Sequence, residues 1–230
     1  MKKSVAFLDY CSTTYDSLLE FQEAKLNSYT SNKKIIQLGN IICEYGLQDK
    51  IGLCLLHKHF NINSDEVLLR KVIRNCAVTS PTSFLKKQLI PYMWKIDGNF
   101  DSEHYNLCPL EFVMPNVNST VIKRIASINK ILYSKADFLF EFANKLIELK
   151  LTNAFGISIL NSCFLTKSMD ETFLETTNEG LKKLTLKPTN REVLINETIQ
   201  TQWIFTPSNS TAGTACTHCS HGNCGHCFHS

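Results

Sequence analysis

The chain lacks the short motifs that usually identify a reaction. Its 230 residues contain no glycine-rich phosphate loop, no Gly-x-Ser-x-Gly nucleophile turn and no His-Glu-x-x-His pair. Each of these motifs holds particular groups in place for phosphate binding, acyl transfer or zinc-dependent hydrolysis. The sequence therefore names no reaction, and it leaves open whether the protein is an enzyme.

Long apolar segments are also missing. The N-terminus carries Lys2 and Lys3, as a secretory signal would, but the apolar stretch that follows is interrupted at Asp9. A signal peptide needs a longer apolar region, and a membrane-spanning helix needs about 20 apolar residues. We therefore expect a cytoplasmic protein without a membrane span.

Charge is sparse and scattered along the chain. The formal net charge is +3, and the basic residues occur as short pairs such as Lys33–Lys34 and Lys182–Lys183. Nucleic-acid-binding domains usually concentrate such residues on one face, so we expect no nucleic-acid partner. The hydrophobic fraction of 43% is ordinary for a globular chain, and the length is sufficient to bury a core.

What the sequence does contain is one stretch used twice. Residues 47–60 and 151–164 match at a constant shift of 104 positions. The shift superimposes identical or similar apolar residues and glycines: Leu47 and Leu151, Gly52 and Gly156, Leu53 and Ile157, Leu55 and Ile159, Leu56 and Leu160, and Phe60 and Phe164. Such unbroken apolar runs predict strands over 52–60 and 156–164 that are buried on both faces.

The helix that precedes each strand repeats at the same shift. Each predicted helix has one apolar stripe at helical spacing, formed by Ile35, Leu38, Ile42 and Tyr45 in the first copy and by Leu139, Phe142, Leu146 and Leu149 in the second. The only tryptophans, Trp94 and Trp203, fall in equivalent predicted strands at a shift of 109, which five inserted loop positions explain. Agreement of helical phase and strand positions at one shift indicates an internal duplication.

The predicted fold class is therefore α+β. Two copies of a strand–helix–helix–strand–strand–strand unit are expected, related by pseudo-twofold symmetry. The first unit spans 1–98, a polar linker 99–109, the second unit 110–206, and a flexible tail 207–230. The tail contains no charged residue and no Val, Leu, Ile or Met, so we expect that burial cannot order it.

The tail carries a dense group of candidate metal ligands. Four of the ten cysteines lie in the last fifteen residues, interleaved with histidines. The candidate ligands are Cys216, Cys219, Cys224, Cys227 and His229. Thiolate and imidazole are the ligands that Zn(II) prefers, and a Cys-x-x-Cys pair holds one ion across a tight turn.

Over fourteen residues the ligand spacing of the tail resembles that of a zinc knuckle, with the third and fourth ligand types exchanged. One zinc ion is predicted, bound by Cys216, Cys219, Cys224 and either Cys227 or His229. A four-thiolate site or a Cu(I) cluster is the alternative, because soft thiolates also suit Cu(I). The tail contains no Lys or Arg, which argues against a knuckle that grips RNA.

A second candidate metal site is the pair His57 and His59. Residues i and i+2 of a strand face the same side, so both imidazoles could approach one ion. Their counterparts in the second unit, Asn161 and Cys163, differ in kind, which is not expected of a shared packing role. We expect any such site to lie where the two units meet, with Cys163 as a further ligand. The alternative is a pair of strand-end histidines that only hydrogen-bond to the backbone.

Paired acids occur after a turn in each unit, at Asp65–Glu66 and Asp170–Glu171. Two adjacent carboxylates could supply metal oxygens or act as acid and base, but turn polarity explains them adequately. The leading interpretation is a metal-binding protein whose task is unnamed. The alternatives are an enzyme with a metal-dependent or Cys/His-based site near His57 and His59, and a regulatory module that binds a protein partner.

Overall fold

The fold is mixed α+β. The computed structural model describes residues 4–28, 32–83, 89–98, 104–115, 119–190, 198–206 and 214–221. Up to residue 113 the elements are β1 (Ser4–Phe7), α1 (Ser12–Asp16), α2 (Phe21–Ser28), α3 (Asn32–Glu44), β2 (Ile51–Leu55), β3 (Glu66–Ile73), β4 (Cys76–Ser83), β5 (Ile90–Asp97) and β6 (His104–Val113). They are followed by α4 (Thr120–Tyr133), α5 (Ala136–Glu148), β7 (Phe155–Ile159), a short 3-10 helix (Asn161–Cys163), β8 (Glu171–Asn178), β9 (Lys183–Asn190), β10 (Ile199–Ile204) and β11 (Thr214–His221).

The strands form one curled sheet. Their order is β1-β6-β3-β4-β9-β8-β11-β10-β2-β7-β5. β5 also pairs with β6 in antiparallel fashion, so ten of these strands close into a ring. β1 lies outside the ring, parallel to the first residues of β6. Closure satisfies backbone groups that an open sheet would leave unpaired at its edges.

Helices α3 and α5 pack against each other over the central strand pair β2 and β7. The predicted helical stripes form this contact, because Ile35, Leu38 and Ile42 share one core with Leu139 and Phe142. Alternate residues of β2 face the same core, whereas Cys54 belongs to a second apolar cluster on the other side. All five residues of β2 and all five of β7 are buried, which confirms the predicted burial on both faces.

Several predicted boundaries are wrong. The strand predicted over 52–60 ends at Leu55, and the strand predicted over 156–164 ends at Ile159 and continues as the 3-10 helix. The sequence pattern of 66–78 also predicts one strand, but these residues belong to a hairpin of β3 and β4, because Arg74 adopts a positive φ of 53° and reverses the chain. The amphipathic pattern of 13–28 predicts one helix, but the structure contains α1 and α2 there, and α2 begins where the Glu23 carboxylate accepts a hydrogen bond from the Glu20 backbone N–H (3.3 Å).

Two segments expected to lack regular structure contain strands. Within the predicted linker, residues 104–109 belong to β6, where Tyr105 and Leu107 are buried in alternation with more exposed neighbours. Within the predicted flexible tail, residues 214–221 form β11 between β8 and β10. Backbone pairing on both sides orders this strand although it has few apolar side chains. The rest of the tail, 207–213 and 222–230, lies outside the described residues.

None of the helices in the described part of the chain is long and apolar enough to span a bilayer.

Candidate metal centre

Three potential metal ligands lie close together in the structure. His57, His59 and Cys219 each offer a ligand atom, and these atoms all lie within 4.8 Å of one another. All three side chains are buried, with 6%, 6% and 0% of their surfaces exposed. The two imidazole rings are 4.5 Å apart between centroids. Two histidines and a cysteine in a water-excluded place are a donor set suited to Zn(II) or Cu(I).

The segment that carries the two histidines is held by α1 and by the residues that follow it. The His59 backbone N–H donates to the Tyr15 hydroxyl (3.1 Å), and the Lys58 N–H donates to the Leu19 carbonyl (2.9 Å). Lys58 also forms an ion pair with Glu20 (2.8 Å). These contacts fix the backbone beyond the end of β2, so the histidines are positioned without a strand ladder.

A backbone hydrogen bond fixes the tautomer of His57. Its Nδ1 atom lies 3.1 Å from the Leu55 carbonyl oxygen. Since a carbonyl oxygen only accepts hydrogen bonds, Nδ1 must carry the proton, and in the neutral ring Nε2 then carries the lone pair that binds a metal. Nδ1 of His59 is 2.9 Å from the Thr177 hydroxyl. Orienting bonds of this kind to the second ring nitrogen are typical of histidines that ligate metals.

Cys219 reaches the histidines from β11. Its Cα is paired with Ile199 of β10 and with Glu175 of β8. Burial raises the pKa of the Cys219 thiol well above its ordinary value, the nearby Glu175 raises it further, and a hydrogen bond with Thr177 acts in the opposite direction. The thiol is therefore neutral at pH 7 unless a cation is bound beside it, because a coordinated metal favours the thiolate.

A buried polar network lies next to the three ligands. Arg70 of β3 is at its centre, where it donates to the Asn161 side-chain oxygen (2.8 Å) and to the Thr79 hydroxyl (3.1 Å). It also lies 3.7 Å from the Glu175 carboxylate and 4.4 Å from the centroid of the Tyr92 ring. A buried arginine is tolerated only where its donors are satisfied in this way.

Two acids share this single arginine. Burial raises the pKa of Glu175 to about 7, although Arg70 opposes the shift. Burial raises the pKa of Glu111 as well, again against the effect of Arg70. Glu111 accepts a hydrogen bond from the Tyr92 hydroxyl, and Glu175 accepts one from Thr201 (3.1 Å). Among the described residues, the network thus combines two carboxyl groups with one cation, Arg70.

The histidines and this network line a common cavity. Its volume is about 20 Å³, which is the space of one water molecule or one metal ion. An organic substrate needs a pocket of hundreds of Å³. The cavity therefore suits an ion and its water rather than a metabolite.

The structure brings together ligands that the sequence had assigned to separate sites. His57 and His59 were predicted as a pair and Cys219 as part of the tail site. Cys163, expected as a further ligand, is buried in the main core and is not in the group. The backbone from Cys216 to Cys219 is extended, whereas a Cys-x-x-Cys site needs a tight turn. Cys224, Cys227 and His229 lie outside the described residues.

The paired acids have the turn role that the sequence suggested. The Glu66 carboxylate accepts a hydrogen bond from the Asn63 N–H (2.8 Å), and the Glu171 carboxylate accepts one from the Ser168 N–H (2.8 Å). Each acid thus closes the turn that precedes its strand. Their neighbour Asp65 is exposed.

Sequence reasoning missed the residues around the ligands, namely Arg70, Tyr92, Glu111, Glu175 and Thr177. One signal was available, because Arg70 and Glu111 each stand among apolar residues of a strand. A charged residue at such a position is almost always paired or functional. No protein-family model, curated protein or solved structure matches this chain, so its function must be inferred from these residues.

Proposed function

We propose that this protein binds one transition-metal ion through His57, His59 and Cys219. Zn(II) is the expected ion and Cu(I) the alternative. The observation that carries the proposal is the convergence of three buried ligand side chains from two distant segments of the chain, with their ligand atoms within 4.8 Å of one another.

The spacing of the ligands is close to what an ion needs. Zn–N distances near 2.1 Å and Zn–S distances near 2.3 Å place tetrahedral ligand atoms roughly 3.5 Å apart. Side-chain rotations would have to bring the three atoms from their present spacing, which is within 4.8 Å, to that value. In the described residues no fourth His, Cys, Asp or Glu joins the group. A water molecule in the adjoining cavity would complete a Zn(II) site, whereas Cu(I) would need only the three soft or borderline ligands.

We infer that the body of the protein is an internal duplication with pseudo-twofold symmetry. The register of the central strands supports this, because Leu53 stands opposite Ile157, its counterpart at the 104-residue shift. On the outer sides of this pair, Leu53 also pairs with Trp203, and Ile157 pairs with Trp94. The axis would pass between Leu53 and Ile157.

Close contacts at the repeated glycines support the same inference. A Cβ atom on Gly52 would lie 2.5 Å from the Trp203 carbonyl oxygen, and one on Gly156 would lie 2.3 Å from the Trp94 carbonyl oxygen. Only glycine permits such an approach of two strands. Both stretches therefore keep the glycine for the same reason.

The outer strands also correspond in pairs. β3 lies parallel to β6 as β8 lies parallel to β11. β3 and β4 form an antiparallel hairpin, as do β8 and β9. Under this correspondence β6 is the last strand of the first unit and β11 the last strand of the second. The unit boundaries predicted at 98 and 206 would thus each move past one more strand.

The tail is the second candidate site. Cys216, Cys224, Cys227 and His229 retain a ligand density that suits zinc, but Cys219 cannot serve this site and the His57–His59 site at once. An enzyme at the histidine pair is less favoured, because the cavity of about 20 Å³ holds no substrate.

Titration of the full-length, reduced protein with Co(II) tests the proposal, followed by displacement with Zn(II). A Cys216→Ser/Cys224→Ser/Cys227→Ser variant keeps the buried site and removes most tail ligands. We expect this variant to bind one Co(II) with the absorption of a cobalt–thiolate bond. Adding His57→Ala and His59→Ala, or Cys219→Ser, should lower its affinity at least a hundredfold.

Cys76→Ser is the matched control, since this cysteine lies at the start of β4, away from the ligand group. It should leave the titration unchanged. Metal binding that survives the loss of both histidines, or binding that disappears when only the three tail cysteines are replaced, would contradict the buried site.

A further inference from the structure

We propose that the metal ion locks the C-terminal strand β11 into the ring, so that metal binding and closure of the sheet are one coupled event. This inference rests on the proposed function of the same site. It adds a consequence that ligand geometry alone does not imply, namely that the protein has a metal-dependent open and closed form.

The first argument is the composition of β11. Its sequence, Thr-Ala-Cys-Thr-His-Cys-Ser-His, contains no Val, Leu, Ile, Met or aromatic residue. The corresponding strand of the first unit, β6, contributes Leu107, Leu110, Phe112 and Val113 to the buried interior. Apolar burial is the main force that holds a strand in a sheet. The side chains of β11 offer little apolar surface for this burial.

The second argument concerns what β11 contributes to the interior instead. Its described side chains are Thr217 and Cys219, both 0% exposed. The Thr217 hydroxyl oxygen accepts a hydrogen bond from the Asn161 side-chain amide (2.9 Å). Such a bond adds little to the stability of the strand. Coordination of Cys219 together with His57 and His59 would supply far more, because the ion joins β11 to a segment at the other end of the sequence.

The third argument is the position of β11 in the ring. It stands between β8, to which it is parallel, and β10, to which it is antiparallel. The register with β10 is irregular at Gln200 to Trp203, so the pairing between β10 and β11 is weakened. Neighbouring strands are about 4.8 Å apart, so loss of β11 would leave a gap of two spacings beside the buried Glu175. Opening would thus admit water to the acid–arginine network.

Hydrogen exchange measured by mass spectrometry tests this inference on the full chain. The Cys216→Ser/Cys224→Ser/Cys227→Ser variant is used, so that only the buried site binds metal. Amides of 214–221 are compared with those of 104–113 in β6, first with free Zn(II) at a hundred times its dissociation constant and then with a chelator. Ligand binding at that concentration suppresses opening about a hundredfold. We expect 214–221 to exchange about a hundredfold faster without metal, and 104–113 to stay unchanged.

His57→Ala/His59→Ala, which leaves β11 intact, should make exchange of 214–221 fast and independent of zinc. If Co(II) binds with the expected ligands but 214–221 is equally protected with and without metal, the proposal that metal holds β11 in the sheet is wrong, and the proposed metal site is still supported. If 104–113 and 214–221 lose protection together, the metal stabilises the whole fold and no separate opening exists. If no metal binds the buried site in the cobalt titration, the proposed function and the lock both fail.

Discussion

The segments that follow β2 and β7 are the most informative pair of regions in this molecule. Each leaves the central strand pair, passes the end of the sheet and is buried. After β2 the buried polar side chains are His57 and His59, which face Cys219. After β7 they are Asn161, which bonds to Arg70 and Thr217, and Cys163, which packs in the main core. Under the inferred duplication, the position of Cys219 corresponds to Val113 of β6, which is paired with Arg70 and is also buried.

The difference shows which features the fold needs. Glycines, apolar strand residues and tryptophan neighbours recur in both regions, and each has a packing reason. The candidate metal ligands occur in one region, whereas the residues that correspond to them under the inferred duplication are Asn161, Cys163 and Val113, which are also buried. The His57–His59–Cys219 group is therefore not explained by the features that both regions share, and metal binding is our proposal for its role.

The largest expected effect concerns the shared core. Leu55→Ala in β2 and Ile159→Ala in β7 each empty a fully buried position and should each lower the free energy of unfolding by about 2–5 kcal/mol. Urea unfolding in the presence of a chelator measures this. Val72→Ala, at an exposed position of β3, is the control and should be nearly neutral. A near-neutral result at one core position alone would break the equivalence of the two strands.

The repeated glycines provide the next test. Gly52→Ala and Gly156→Ala introduce a methyl group against a backbone oxygen that cannot move freely. Each should cost about 1–3 kcal/mol of unfolding free energy, by overpacking, and the two losses should be similar. Gly180→Ala is the control, because a Cβ there has only an ordinary contact at 3.7 Å. Unequal losses would show that the two strand crossings differ in freedom to relax.

A third prediction concerns the effect of pH on stability through the acid–arginine network. In this network Glu111 faces Arg70, Tyr92 and the second acid, Glu175. Burial raises the pKa of Glu111 in the folded chain, so above the ordinary pKa of a glutamate the folded state binds more protons than the unfolded state. The stability of the metal-free protein should then fall as pH rises through that range, until Glu111 ionises in the folded state as well. Glu111→Gln should make the fall shallower when urea unfolding is compared at pH 5, 6.5 and 8. An unchanged slope in that variant would contradict the assignment.

The smallest expected effect is the binding of a second metal ion by a variant with transferred ligands. This variant is also the most direct test of the comparison between the segments that follow β2 and β7. Val113→Cys, Asn161→His and Cys163→His would place the ligands of one region at the corresponding positions of the other. We expect a second, weaker Co(II) site and a rise in stoichiometry from one to two, at some loss of stability because Asn161 no longer bonds to Arg70. Val113→Cys alone should bind no second ion. Stoichiometry that stays at one would mean that the two backbones differ too much to hold the same site.

Much of the architecture could be predicted from periodicity. The stripe at Ile35, Leu38 and Ile42 and its counterpart in α5 predicted two amphipathic helices, and the structure shows that both pack against one core. The apolar runs predicted the central strands, and their burial is confirmed. Strand ends were less accessible, because the chain leaves the ladder at Leu55 for reasons of tertiary contact to Tyr15 and Leu19. The first half of β6 and the whole of β11 were missed because their composition is polar, and their pairing partners lie far away in the sequence.

For the candidate site, the sequence by itself determined the types of the candidate ligands. Comparison of the two matching stretches also showed that His57 and His59 differ in kind from their counterparts. The sequence assigned Cys219 to its neighbours Cys216 and Cys224, because spacing along the chain is the only distance that a sequence contains. In the structure, β11 lies beside β8 in the closed sheet, and this pairing brings Cys219 close to the histidines. Strand order is fixed by hydrogen bonds between residues distant in sequence, and local sequence patterns do not indicate which strands will pair. Each candidate ligand could therefore be predicted separately, but only the tertiary structure determined that the three lie close together.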